Sequence, residues 1–124
     1  MKTEKDFQTT FKQLKRLLQK HADNLTVVVN KPGNYSLNAG YAKEWAKEIF
    51  FGAVMIKRNY VSYHLMAVYA CPDLLKGISP TLKKRMQGKS CFNFTTIDAE
   101  TLRELAALTD RGYQRFKKER WIGK

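Results

Sequence analysis

Ile49-Phe-Phe-Gly-Ala-Val-Met-Ile56 and Tyr60-Val-Ser-Tyr-His-Leu-Met-Ala-Val-Tyr69 are two extended runs separated by Lys57, Arg58 and Asn59, and their pairing decides the fold. Both are rich in β-branched and aromatic residues, the composition of strands. Asparagine tolerates the positive φ of a tight turn, so Arg58-Asn59 is the natural hairpin loop. With that loop, Lys57 faces Tyr60, Ile56 faces Val61 and Val54 faces Tyr63. Period-two alternation then places Phe50, Val54, Ile56, Val61, Tyr63 and Leu65 on one face. The other face carries Phe51, Met55, Ser62, His64, Met66 and Val68. Both faces are therefore expected to be substantially apolar.

Elements added on either side complete a sheet-and-helix pattern. Upstream, Leu25-Thr-Val-Val-Val29 reads as a strand, Lys31-Pro-Gly-Asn34 as a turn, and Tyr35 to Leu37 as a second short strand. Residues 38–47 fit either one helical turn through Ala42, Trp45 and Ala46 or a loop crossing the sheet. Thr3 and Asp6 form a loose capping box ahead of Phe7, Phe11, Leu14 and Leu18, one apolar stripe of a helix. His21 takes the next stripe position, at the helix's C-terminal dipole. Downstream, Cys71-Pro72 leaves the hairpin for a short helical piece. Ser79 caps a further helix with Pro80 at its first position, running to about Gln87 and stopped by Gly88. Ser90 to Phe94 is a last strand. Asp98 caps a closing helix through Leu102, Leu105, Thr109, Gly112 and Phe116, with Trp121 packed near its end. The expected architecture is α+β, one domain over residues 1–124. It is an antiparallel sheet of about five strands with the N- and C-terminal helices packed on one face, a two-layer sandwich.

Composition narrows the class. A chain of 124 residues with 44% hydrophobic and 12% aromatic residues has the makings of one core, and it does not resemble a disordered tail. It opens Met-Lys-Thr-Glu-Lys-Asp, with no signal-peptide core and no apolar run of spanning length, which predicts a cytoplasmic protein without a membrane partner. Two cysteines twenty residues apart, Cys71 and Cys91, have no Cys or His within four positions; they are expected to be reduced and buried, neither metal-bound nor bridged. Net charge is +12, from 23 basic and 11 acidic residues. The excess sits in three stretches, residues 2–20, 76–89 and 111–124, and the middle one has five basic residues and no acid. Such a surface either attracts polyanions or simply keeps the protein in solution.

Chemistry is sparse. Gly88-Lys89-Ser90 invites comparison with a phosphate loop, but that loop needs glycine at position 83, where this chain has Lys83, and it opens a helix instead of following one. An anion could still be held there by Lys84, Arg85, Lys89 and Ser90. Ser62, His64 and Cys91 could share a pocket near the hairpin. No carboxylate completes a triad with them, and no catalytic residue is assigned. Glu44, Glu48, Glu100 and Glu104 stand at helical spacing beside Lys or Arg and read as surface ion pairs. No metal site and no cofactor is expected. An apolar second sheet face would serve a homodimer or a roofed pocket, unless residues 38–47 and 71–78 cover it as core.

Phe50 to Lys57, Tyr60 to Met66, Val68-Tyr69 and above all Ser79-Pro-Thr-Leu-Lys-Lys-Arg-Met-Gln-Gly-Lys-Ser-Cys-Phe-Asn-Phe94 resemble the YdhG-like domain family of unknown function. The resemblance spans roughly residues 20 to 120. Ala67 stands where that family usually has proline. The resemblance implies a compact α+β domain and brings no established catalytic residues. Some relatives are described as frataxin-like iron chaperones, which rely on an acidic ridge on the first helix and neighbouring strand. Here the first helix offers Glu4 and Asp6 among six basic residues, a surface that repels hard cations. The function expected from the sequence is a non-enzymatic binding module whose basic surface takes an anionic ligand or nucleic acid. The alternative is a frataxin-like iron chaperone, or a small enzyme using His64 and Cys91.

Overall fold

The computed structural model describes residues 4–42 and 46–122. Helix α1 (Glu4–Gln19) leads through a 3-10 turn into strands β1 (Thr26–Lys31), β2 (Asn34–Ala42), β3 (Lys47–Ile56) and β4 (Val61–Leu65). Short helix α2 (Met66–Ala70), a 3-10 turn and short helix α3 (Pro80–Lys83) follow. Strands β5 (Met86–Gln87) and β6 (Cys91–Phe94) then precede helix α4 (Ala99–Lys118). The sheet is antiparallel throughout, six strands in the order β1-β2-β3-β4-β6-β5. Helices α1 and α4 pack against it, as the α+β reading expects, with one strand more than foreseen.

The core lies between helices and sheet. Phe7, Phe11, Leu14 and Leu18 of α1 and Leu105, Leu108, Tyr113 and Phe116 of α4 bury onto Tyr35, Leu37, Val54, Val61, Tyr63, Leu65, Phe92 and Phe94. Tyr63 is fully buried and its hydroxyl lies 2.7 Å from Thr109 Oγ1, which itself donates to the Leu105 carbonyl, so Tyr63 is the donor. Trp121 closes the end of α4 edge-on to Phe116, centroids 5.1 Å apart. The expected caps form: Ser79 Oγ accepts from the Leu82 amide and Asp98 Oδ1 from the Thr101 amide. The Thr3 half of the first capping box lies outside the described residues.

Four departures follow from pairing that periodicity does not register. The hairpin has the expected register, Ile56 opposite Val61 and Val54 opposite Tyr63, but a β-bulge interrupts β3. Leu37 pairs with Gly52 and the next residue, Asn38, pairs with Phe50. The extra residue, Phe51, turns inward and is fully buried, edge-on to Phe116 at 5.3 Å, while Phe50 is left on the other face. Phe50 and Phe51 thus exchange their expected sides. Second, the run after Tyr60 stops being a strand at Leu65, whose amide donates to the Ser90 carbonyl at the end of the β4–β6 ladder. Met66 to Ala70 coil into α2, burying Ala67 and Val68. Third, the helix begun at Pro80 ends at Lys83, because Met86 and Gln87 pair with Phe92 and Cys91. Gly88, at φ +75°, turns the β5–β6 hairpin; it does not terminate a helix. Fourth, residues 38–42 and 47 are sheet, so they roof nothing. Ala42 is in β2, Ala46 turns at φ 52°, and Trp45 lies outside the described residues.

Candidate functional site

Register assigns every side chain of the helix-free face. One row runs Lys31, Asn34, Met55, Ser62, Asn93 across β1, β2, β3, β4 and β6; the next runs Val29, Ser36, Ala53, His64, Cys91, Gln87, ending on β5; Thr26, Asn38 and Phe50 begin a third. This corrects the expectation of a second apolar face. Phe51 and Val68 are core, and Met66 packs beside the core on α2; of the apolar residues expected there, only Met55 stays on this face. Phe50 and Met55 are half-buried yet lie outside the core cluster. The face is mainly amides, hydroxyls and small side chains, so a dimer built on a contiguous apolar patch loses its premise.

Ser62, His64 and Cys91 do come together. His64 and Cys91 are cross-strand partners on β4 and β6, with Ser62 two residues along on the same face. Ser90, expected beside the basic side chains, is buried and joins this group instead: its Oγ is 2.7 Å from His64 Nε2. The Phe50 ring meets the His64 ring edge-on, centroids 4.9 Å apart. Burial lowers the His64 pKa below the ordinary imidazole value, favouring the neutral ring. A serine-histidine pair at this distance has the reach for proton transfer, but catalysis also needs a third group to orient the base. Among the described residues no carboxylate bonds to His64, so the pair reads as a ring fixed in place by a hydrogen bond. Cys91 is half-buried and Cys71 buried; both are free thiols.

The basic candidates separate. Lys84 and Arg85 follow α3, and the Arg85 carbonyl accepts from the Asn93 amide, so this residue continues the edge hairpin opposite β6. Lys89 lies in the β5–β6 turn at the opposite end of that hairpin. All three are exposed, whereas Ser90 is buried. The sheet's ends are basic more widely: Lys31, Lys57, Arg58 and Arg85 at one end, Lys47 and Lys89 at the other. The six strands contain a single acid, Glu48, which accepts from Asn38 Nδ2 at 3.1 Å. Beside it, where β3 meets α2, Lys47, Ile49, Phe50, Met66 and Tyr69 line a cleft of about 730 Å³. Sequence reasoning missed Phe50 as a surface aromatic; Gly52 inside a strand was the signal for the bulge that exposes it.

Five other acids, Asp73, Asp98, Glu104, Asp110 and Glu119, are engaged within the fold. Asp110 takes Lys20 at 3.0 Å and His21 at 2.8 Å, and His21 stacks on Tyr113 with centroids 4.0 Å apart. Burial alone would raise the Asp110 carboxyl, but these two partners outweigh it and hold the carboxyl below its usual range. Asp73 is likewise held below its usual range, by the paired bonds from Arg115. Glu104, expected in a surface ion pair, instead accepts from the amide and hydroxyl of Ser79, and Glu48 accepts from Asn38. Glu44 lies outside the described residues. Among the described residues no three His, Cys, Asp or Glu side chains gather as metal ligands, and no helix is long and apolar enough to cross a membrane. Compared with protein-family models, curated proteins and solved structures, the chain matches none.

Proposed function

We propose that this chain is a non-enzymatic binding module whose basic surface engages a polyanion, nucleic acid in the first place. The observation that carries this is the pairing of its charges. Asp73, Asp110 and Glu119 bond to Arg or Lys, and Glu48, Asp98 and Glu104 bond to amides or hydroxyls. Lys12, Arg16, Lys57, Arg58, Lys84, Arg85, Lys89, Arg111 and Lys118 are exposed and make no ion pair with a described residue. Unpaired cations spread over α1, α4 and the hairpin turns attract a polyanion, and one that neutralises them releases its condensed counterions. Membership of the YdhG-like family, proposed from residues 50–94, is compatible with this reading and assigns no chemistry of its own.

Titrating labelled DNA and RNA with the protein at 50 and 200 mM salt tests the proposal by fluorescence anisotropy. Log affinity is expected to fall linearly with log salt, by about 0.9 per phosphate neutralised on duplex and about 0.7 on single strands. Absence of binding to either nucleic acid at 50 mM salt overturns it.

A further inference from the structure

Resting on that reading, we infer that the helix-free sheet face takes an unpaired stretch of nucleic acid, with bases stacking at Phe50 and His64. The duplex major groove admits a helix or a two-stranded ribbon, and a broad six-stranded face presents neither. Unstacked bases, by contrast, lie flat on aromatic side chains and present their edges to nearby donors and acceptors. The central strands of this sheet offer that arrangement. Phe50 on β3 and His64 on β4 are half-buried and in edge-to-face contact, and the Ser90 bond fixes the imidazole in place. Around them the side chains of Asn34, Asn93 and Gln87 make no hydrogen bond with a described residue, so their amides are available to base edges.

The charge fits the same occupant. Lys31, Lys57, Arg58 and Arg85 bound the face at one end of the strands, where Asp98 lies near enough to Arg85 to feel its charge, and Lys47 and Lys89 bound the other; within the strands the one acid is Glu48. A strand crossing the face meets cations at both ends and uncharged side chains between them. Phe50 also forms one wall of the cleft shared with Met66 and Tyr69, and Tyr69 and Tyr41 stand exposed at that end, so stacking surface continues past the sheet. A second copy of the chain would set two of these basic rims against each other, which disfavours it as the occupant.

A twelve-nucleotide RNA carrying 2-aminopurine, the same sequence as DNA, and the matching duplex are titrated at 50 mM salt with wild-type protein and with Phe50→Ala and Phe50→Trp. Single strands are expected to bind about tenfold tighter than duplex, with the 2-aminopurine emission changing on binding. Phe50→Ala is expected to weaken single-strand binding about tenfold and leave the salt slope unchanged, and Phe50→Trp to restore affinity. Equal affinity for duplex and single strands, or indifference to Phe50→Ala, overturns this inference and leaves the polyanion reading standing. No nucleic-acid binding at all overturns both. A dimer by light scattering that Phe50→Ala converts to monomer assigns the face to self-association and overturns the inference.

Discussion

His64 is held by two contacts on a half-exposed sheet face, the Ser90 hydroxyl at Nε2 and the Phe50 ring edge-on. Neither contact is a charge partner, so what dominates its titration is desolvation, which lowers the folded-state pKa. The unfolded chain therefore binds a proton at this residue more readily than the folded one. Stability from this term is fully present above the ordinary imidazole pKa of about 6.5 and is lost as pH falls through it. Asp110 behaves differently and elsewhere on the pH scale. Its carboxyl is held low, so its contribution persists through neutral pH and disappears only as pH falls below the carboxylate range. Urea titrations at pH 8.0 and 5.5 separate the two. The wild type is expected to lose midpoint on acidification by more than His64→Gln does, because glutamine can keep the bond to Ser90 without titrating. An equal loss in both proteins would show that the His64 ring is not desolvated.

At the scale of elements, the contact between α2 and α4 depends on one glycine. A Cβ built at Gly112 would lie 2.7 Å from Cβ of Ala67, closer than two carbons can sit. Glycine inside a helix is about 1 kcal/mol less favourable than alanine, so Gly112→Ala would stabilise α4 if the space were open. Here it is expected to destabilise the protein by about 1–3 kcal/mol, measured by urea unfolding, and Ala67→Gly in the same chain should recover part of the loss. Gly112 was legible as a position on the buried stripe of α4, because helical spacing is regular; its partner was not, because α2 itself was read as strand. The same division runs through the fold. The stripe of α1, the caps Ser79 and Asp98 and the register of the central hairpin follow from local spacing. What escaped depends on partners distant in sequence. Met86 and Gln87 leave the helix for β6, the turn of the hairpin falls on Gly88, and Phe50 and Phe51 change sides at a bulge set by pairing with β2. The candidate site shows the consequence, since Ser62, His64 and Cys91 are legible in the sequence while alternation places Phe50, their aromatic neighbour, on the opposite face of the hairpin.

Over the whole molecule, charge acts against compactness as well as toward partners. Twenty-three basic residues against eleven acids give +12 on a chain of 124 residues, and folding brings those charges together. The ion pairs Lys20–Asp110 and Arg115–Asp73 are at the surface and contribute little individually. Unpaired cations outnumber them, so repulsion is the larger electrostatic effect and screening should relieve it. Raising ionic strength from 10 to 150 mM shortens the Debye length from about 30 Å to about 8 Å. Tm is accordingly expected to rise by about 3–5 °C over that range in sodium chloride, corresponding to roughly 1 kcal/mol for a domain of this size. Lys83→Glu with Lys118→Glu, both exposed, lowers the net charge by four, two for each exchange. This double variant should melt higher than wild type at 10 mM salt and gain less from added salt. A Tm that falls with salt would mean instead that the few paired acids outweigh the unpaired cations. In that case the folded state would be held by its ion pairs, and its basic surface would be a weaker field than the charge count implies.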